Sequence, residues 1–132
     1  MIRLLLNLVL RTLSPLLLVA ILAAQGVKLK DSAVVLYGSA ANCSQPAVVD
    51  FHKIKKATAE WRTIKAEGVQ RGTARYDLLV EDMNKRIKKL CAEVAKAAGK
   101  DCVICKGDVD NDNGLKVADL TDQVTTKLES DG

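Results

Sequence analysis

The sequence predicts an α+β protein: a small β body with a projecting antiparallel α-helical coiled-coil hairpin and a short C-terminal helix. Three observations predict it. Apolar residues at Tyr76, Val80, Met83, Ile87, Leu90, Val94 and Ala97 alternate steps of four and three without a slip, which is the spacing of a coiled-coil seam. A shorter copy of that seam lies upstream at Ile54, Ala57, Trp61 and Ile64, and Gly68 and Gly72 between the two break helix and permit a reversal. The runs Ala33-Val-Val-Leu-Tyr37, Ala47-Val-Val-Asp-Phe51 and Cys102-Val-Ile-Cys105 are rich in β-branched residues and read as short strands.

In chain order, residues 1–24 read as a signal peptide or membrane anchor. An uncharged run of 13 residues begins at Thr12, follows Arg3 and Arg11, and ends on Ala23 and Ala24. It is too short to cross about 30 Å of hydrocarbon and has the proportions of a leader. The alternative lets residues 4–24 span the membrane with Arg11 near an interface. Either way the expected location is periplasmic, with the leader cleaved or kept as an inner-membrane anchor. Residues 25–46 form a tether holding the first candidate strand, and residues 47–132 form the main domain.

Within that domain a strand at 47–51 leads into a first helix ending near Glu67. Asp50 at the junction reads as a helix cap. The second helix runs over 74–98, with Gly99 as its C-terminal cap and Lys96 in its last turn. A strand at 102–105 and an Asp/Asn/Gly loop follow. The last helix starts at Leu120, carries Leu120, Val124 and Leu128 on one face, and has Asp119 as its cap. At 1.5 Å per residue the second hairpin helix is about 37 Å long and the first about 24 Å. The longer seam therefore has apolar surface to cover: Cys91, Val94 and Ala97 on the sheet, or a second copy, or a client. Aromatic residues make up only 3% of the chain, so its core is modest and assembly into a homo-oligomer is a natural expectation.

Charge divides the chain. Residues 53–100 carry a net +7 and residues 101–132 a net −5. The basic hairpin suits an anionic membrane surface or an acidic protein segment, and in an envelope compartment no nucleic acid is expected. Lys85, Arg86, Lys88 and Lys89, with Tyr76, Val80, Met83, Ile87 and Leu90, are the expected client- or partner-binding residues. Pairs such as Glu81 with Lys85 and Asp82 with Arg86 would also suit a solvated helix face.

All four cysteines follow the leader, and an even count outside the cytoplasm admits two disulfides in any of three pairings. Cys43, Cys91, Cys102 and Cys105 leave that choice open. On a strand, Cys102 and Cys105 face opposite sides, so their sulfurs do not meet.

Residues 108–119 form a second constellation. Asp108, Asp110, Asp112 and Asp119 occupy positions 1, 3, 5 and 12 of a twelve-residue loop, the oxygen density that Ca²⁺ requires. Asn113 stands where a calcium loop has glycine, though asparagine tolerates the left-handed conformation. The same residues suit a solvated Asp/Asn turn. No phosphate loop, nucleophile elbow or catalytic carboxylate pair is present, and the single histidine, His52, sits at a helix start. A non-enzymatic protein without a required cofactor, Ca²⁺ apart, is expected.

Val48-Val-Asp-Phe-His-Lys-Ile54, with Glu60-Trp61 downstream, resembles the opening strand and helix of the Skp/OmpH-like periplasmic chaperones. Asp119-Leu-Thr-Asp-Gln-Val124 with Lys127-Leu128 is similar to that family's closing segment. The resemblance implies a β body, often trimeric, whose helical arms hold unfolded outer-membrane proteins. The arms here are much shorter than that family's. The layout also resembles the F-type conjugative transfer protein TrbI, which implies a membrane-anchored accessory of a conjugation or secretion system. The expected function is a chaperone-like or assembly factor for unfolded or partner envelope proteins. The alternatives are the accessory subunit and a calcium-dependent binding module.

Overall fold

Two short strands separated by three helices lie side by side and parallel, and that pairing sets the architecture. In the computed structural model, which describes residues 26–131, these are β3 (Pro46–Val49) and β4 (Cys102–Cys105), in register from Pro46 opposite Cys102 to Val49 opposite Cys105. Parallel neighbours need a long crossover. It is supplied here by α1 (Phe51–Lys56), α2 (Ala59–Glu67) and α3 (Ala74–Ala97). β2 (Val35–Tyr37) adds antiparallel to β4, and β6 (Ala118–Asp119) adds parallel to β3, giving the order β2-β4-β3-β6. β1 (Lys28–Leu29) and β5 (Val109–Asn111) form a separate two-stranded ribbon. α4 (Thr121–Asp131) closes the chain. The expected leader or anchor at 1–24 lies outside the described residues. Among the described residues no helix is long and apolar enough to cross a membrane.

Strand alternation sorts the core into two sides. Ala47, Val49 and Val103, with Leu36 of β2, face the helices and pack with Ile54, Met83, Ile87, Leu90, Cys91, Ala95, Leu120, Val124 and Leu128. Cys102 and Ile104 face the other way and pack with Val27 and Cys43 beneath the ribbon. The opposite facing of Cys102 and Cys105 follows from this alternation. Cys102 is joined to Cys43 in a disulfide with Cα atoms 5.5 Å apart, and Cys91 and Cys105 are free thiols. Of the two disulfides that the even count admits, one is formed.

The expected first helix is broken. Thr58 caps a new helix by accepting the Trp61 N–H, while its own hydroxyl donates to the Lys55 carbonyl at 2.7 Å. Asp50 caps α1 through the Lys53 N–H, and Thr73 caps α3 through the Tyr76 N–H. The end of α3 is a Schellman closure: Lys100 N–H donates to the Ala95 carbonyl, Gly99 N–H donates to that of Lys96, and Gly99 has φ +70°. Gly38, at φ +78°, is needed for a different reason. A Cβ there would sit 2.2 Å from the Asp101 carbonyl oxygen, so a side chain would push β2 away from Cys102.

α2 and α3 run antiparallel, because Glu60 meets Arg86 near the base and Glu67 meets Arg75 near the turn. The expected unmatched seam is not found on α3. Met83, Ile87 and Leu90 are buried against the sheet and the neighbouring helices, and α4 covers surface that the two-helix picture leaves open. Cys91 and Val94 reach the sheet side as one alternative required, whereas Ala97 is exposed. Among the described residues, the large apolar side chains that remain exposed are Val34 and Leu78.

Candidate functional site

β3, β4 and β6 are parallel, so their C-terminal ends deliver Asp50, Lys106 and Asp119 to one edge of the sheet. The crevice beyond the carboxyl ends of parallel strands is where open α/β sheets bind ligands. A cleft of about 500 Å³ opens there. Val34, Leu36, Phe51 and Cys105 supply its apolar surface, and Asp50, His52, Lys88, Lys106 and Asp108 its polar rim. A second hollow of about 420 Å³ follows α3 past Asp77, Val80, Glu81 and Lys85. Asn84 and Lys88 line both, so the two form one trough along α3.

The carboxylates at this edge are engaged in holding the fold. Asp50 accepts the Lys53 N–H, and its own N–H donates to Thr121 Oγ1 at 2.9 Å. Asp108 Oδ2 accepts the Val34 N–H at 2.9 Å. Asp119 accepts the Thr121 N–H at 3.0 Å, the Thr121 hydroxyl at 2.5 Å and Lys106 Nζ at 3.2 Å. The Thr121 bonds, joined by Lys106, hold the Asp119 carboxyl below its ordinary range despite some burial. Lys88 and His52 make no hydrogen bond or ion pair among the described residues. The trough therefore presents one unpaired ammonium, Lys88, with the Asp77 carboxylate farther along it.

A cysteine in a cleft beside a histidine invites a nucleophilic reading, and the local chemistry opposes it. A nucleophilic cysteine needs a lowered pKa. Burial pushes the Cys105 thiol up, and Asp108 adds to the rise. Cys91 behind it is pushed up to about 12 by burial, with a contribution from Cys105. Both stay thiols at neutral pH.

The expected partner-binding residues separate into three groups. Met83, Ile87 and Leu90 belong to the core and meet no partner from there. Tyr76 and Val80 are half-buried. Lys85, Lys88 and Lys89 are exposed, Lys85 held by Glu81 at 2.9 Å as the helix spacing led one to expect. Arg86 turns from Asp82 to Glu60, which is 8% exposed, and so is engaged within the chain.

The four aspartates of the expected calcium loop are not brought together. Asp108 reaches Val34, Asp110 pairs with Lys28 at 3.6 Å, Asp112 closes a turn on the Gly114 N–H, and Asp119 lies beside Lys106. The physical cause is β5: pairing of Val109–Asn111 with β1 extends the backbone that a calcium loop must curl. Asn113 does adopt the left-handed conformation, at φ +53°. Among the described residues the metal-ligand atoms that converge in a group of three are those of Cys43, Asp101 and Cys102, and the two sulfurs are already bonded to each other.

Val34, Phe51, Asn84 and Lys106 were not expected at a site. Strand C-termini meeting beside a helix is a non-local event, and the available signal was the run of Asp50 and Lys106 directly after two strands. Comparison with protein-family models, curated proteins and solved structures finds no match for the chain.

Proposed function

We propose that this protein is a non-enzymatic factor of the cell envelope that holds a segment of an unfolded or partner envelope protein along α3. The observation that carries the reading is the trough shared by Asn84 and Lys88, with an apolar floor and the unpaired Lys88 ammonium at its rim, continuing onto a helix face that carries Lys85 and Lys89. Successive turns of α3 place Leu78, 62% exposed, on the same outward side as Lys85 and Lys89. Apolar contact would hold a client, and the lysines would favour acidic segments and draw the complex toward anionic membrane surface.

In this reading the α2–α3 pair is a short coiled-coil arm. Its tip supports that use, since Gly68, Gln70, Arg71, Gly72, Thr73 and Arg75 are all exposed. The Cys43–Cys102 disulfide supports an oxidising compartment, in keeping with export and a periplasmic location. The two stretches that resemble the Skp/OmpH-like chaperones also lie side by side, with Val48 paired to Asp119. Each client would be gripped locally rather than enclosed.

The test is suppression of aggregation of an unfolded outer-membrane protein by the purified chain. Wild type should suppress it at low salt. The exposed triple variant Lys85→Glu, Lys88→Glu, Lys89→Glu, folded by circular dichroism, should fail. Equal suppression by both would remove the basic face from the account.

A further inference from the structure

We propose that the cleft at the carboxyl ends of β3 and β4 is a binding site for a single-chain aliphatic carboxylate. The inference stands apart from client holding, although Lys88 serves both. Three features of the cleft define the ligand. Its volume, about 500 Å³, lies in the range of small-molecule sites. Its apolar surface is assembled from three separate elements or their flanks: Val34 and Leu36 from the β2 segment, Phe51 from α1, and Cys105 from β4. Val34 is 49% exposed, an apolar surface with no cover among the described residues. An alkyl chain laid there would remove it from water, and the uncharged Cys105 thiol would not repel an anion above it.

The rim sets the charge. Asp50 and Asp108 also line the cleft and keep their charge, each fixed in place by a backbone N–H, that of Lys53 and that of Val34. Lys106 is held to Asp119 at its edge. Lys88 is the ammonium left without a carboxylate, and His52 stands as a further donor. One free cation over an aliphatic surface matches one carboxylate on an aliphatic stem. The trough past Asn84 to Val80 gives a longer chain somewhere to run.

The experiment uses the full chain and a fluorescent undecanoate probe displaced by dodecanoate, dodecanol or dodecylammonium, each below its micellar concentration. Dodecanoate should displace the probe at least about tenfold more effectively than the other two. Lys88→Glu should reverse that order, favouring the ammonium, and Val34→Asp should weaken all three. Both residues are exposed, so the variants should keep the wild-type circular dichroism and urea midpoint. Equal displacement by the three compounds would reduce the cleft to a general apolar surface and overturn the proposal. So would absence of probe binding up to about 1 mM, or an unchanged order in Lys88→Glu. Loss of aggregation suppression in Lys85→Glu with Lys89→Glu, both outside the cleft lining, while that same variant still binds dodecanoate would separate this site from client holding.

Discussion

Arg86 on α3 places both Nε and Nη2 2.9 Å from Glu60 Oε1 on α2. This pair ties α2 to α3, and Glu60 is nearly withdrawn from water. Removing one partner of such a pair leaves the other buried without compensation, which costs more than the pair itself contributes. Arg86→Ala is therefore expected to lower stability by about 3 kcal/mol in urea unfolding. Glu60→Met with Arg86→Met should recover much of that loss, which distinguishes an unpaired carboxylate from lost packing.

The disulfide closes a long segment, its two cysteines standing 59 positions apart in the sequence. Loop-closure entropy assigns such a bridge about 4 kcal/mol. Cys43→Ser with Cys102→Ser, or a reducing agent, should lower the urea midpoint accordingly. Ellman titration of the native protein should count no more than the two remaining thiols, and those slowly, because Cys91 is buried.

Cys91 also makes stability depend on alkali. Burial raises its folded pKa to about 12 from 9.0, so above pH 9 the unfolded chain binds fewer protons than the folded one. Stability should then fall between pH 9 and 12 by about 1.4 kcal/mol per unit from this group. Cys91→Ala should be less stable at neutral pH, and its urea midpoint should fall less steeply over that range.

Asp101 provides the opposite dependence. Burial works against its charge, but the Ser44 hydroxyl at 2.6 Å and the N–H groups of Gln45 and Ser44 outweigh it and hold the carboxyl below its ordinary range. The stabilisation is present above the unfolded carboxylate pKa and is lost as pH falls through the lower folded value. Asp101→Asn should lower the unfolding free energy from urea titration at pH 6 by about 2 kcal/mol, the worth of hydrogen bonds to a charged acceptor. It should also blunt the loss of stability below pH 4.

Local signals carried much of the fold. The period in α3, the glycines at 68, 72 and 99, the caps at Asp50 and Thr73, and the β-branched runs at β3 and β4 all act within a few residues. The break at Thr58 was also legible, since a threonine three residues before Trp61 is an ordinary capping signal that the continuous seam obscured. β1, β5 and β6 are two or three residues long and exist through pairing with distant segments, so their own residues carry little pattern. β5 matters most, because its pairing with β1 turns an apparent calcium loop into strand and turn. For the site, the exposed lysines of α3 were legible from the helix period, whereas the cleft depends on the meeting of Val34, Phe51, Lys88 and Cys105 across four segments. The same meeting explains why Met83, Ile87 and Leu90 belong inside: the period identifies an apolar face but not what covers it.

The most direct test of client holding is the light-scattering mass of the purified chain with and without an unfolded outer-membrane protein at low salt. The account predicts a soluble complex whose mass exceeds that of the chain alone and which dissociates as salt is raised. A chain whose mass is unchanged while the client precipitates beside it would contradict the account.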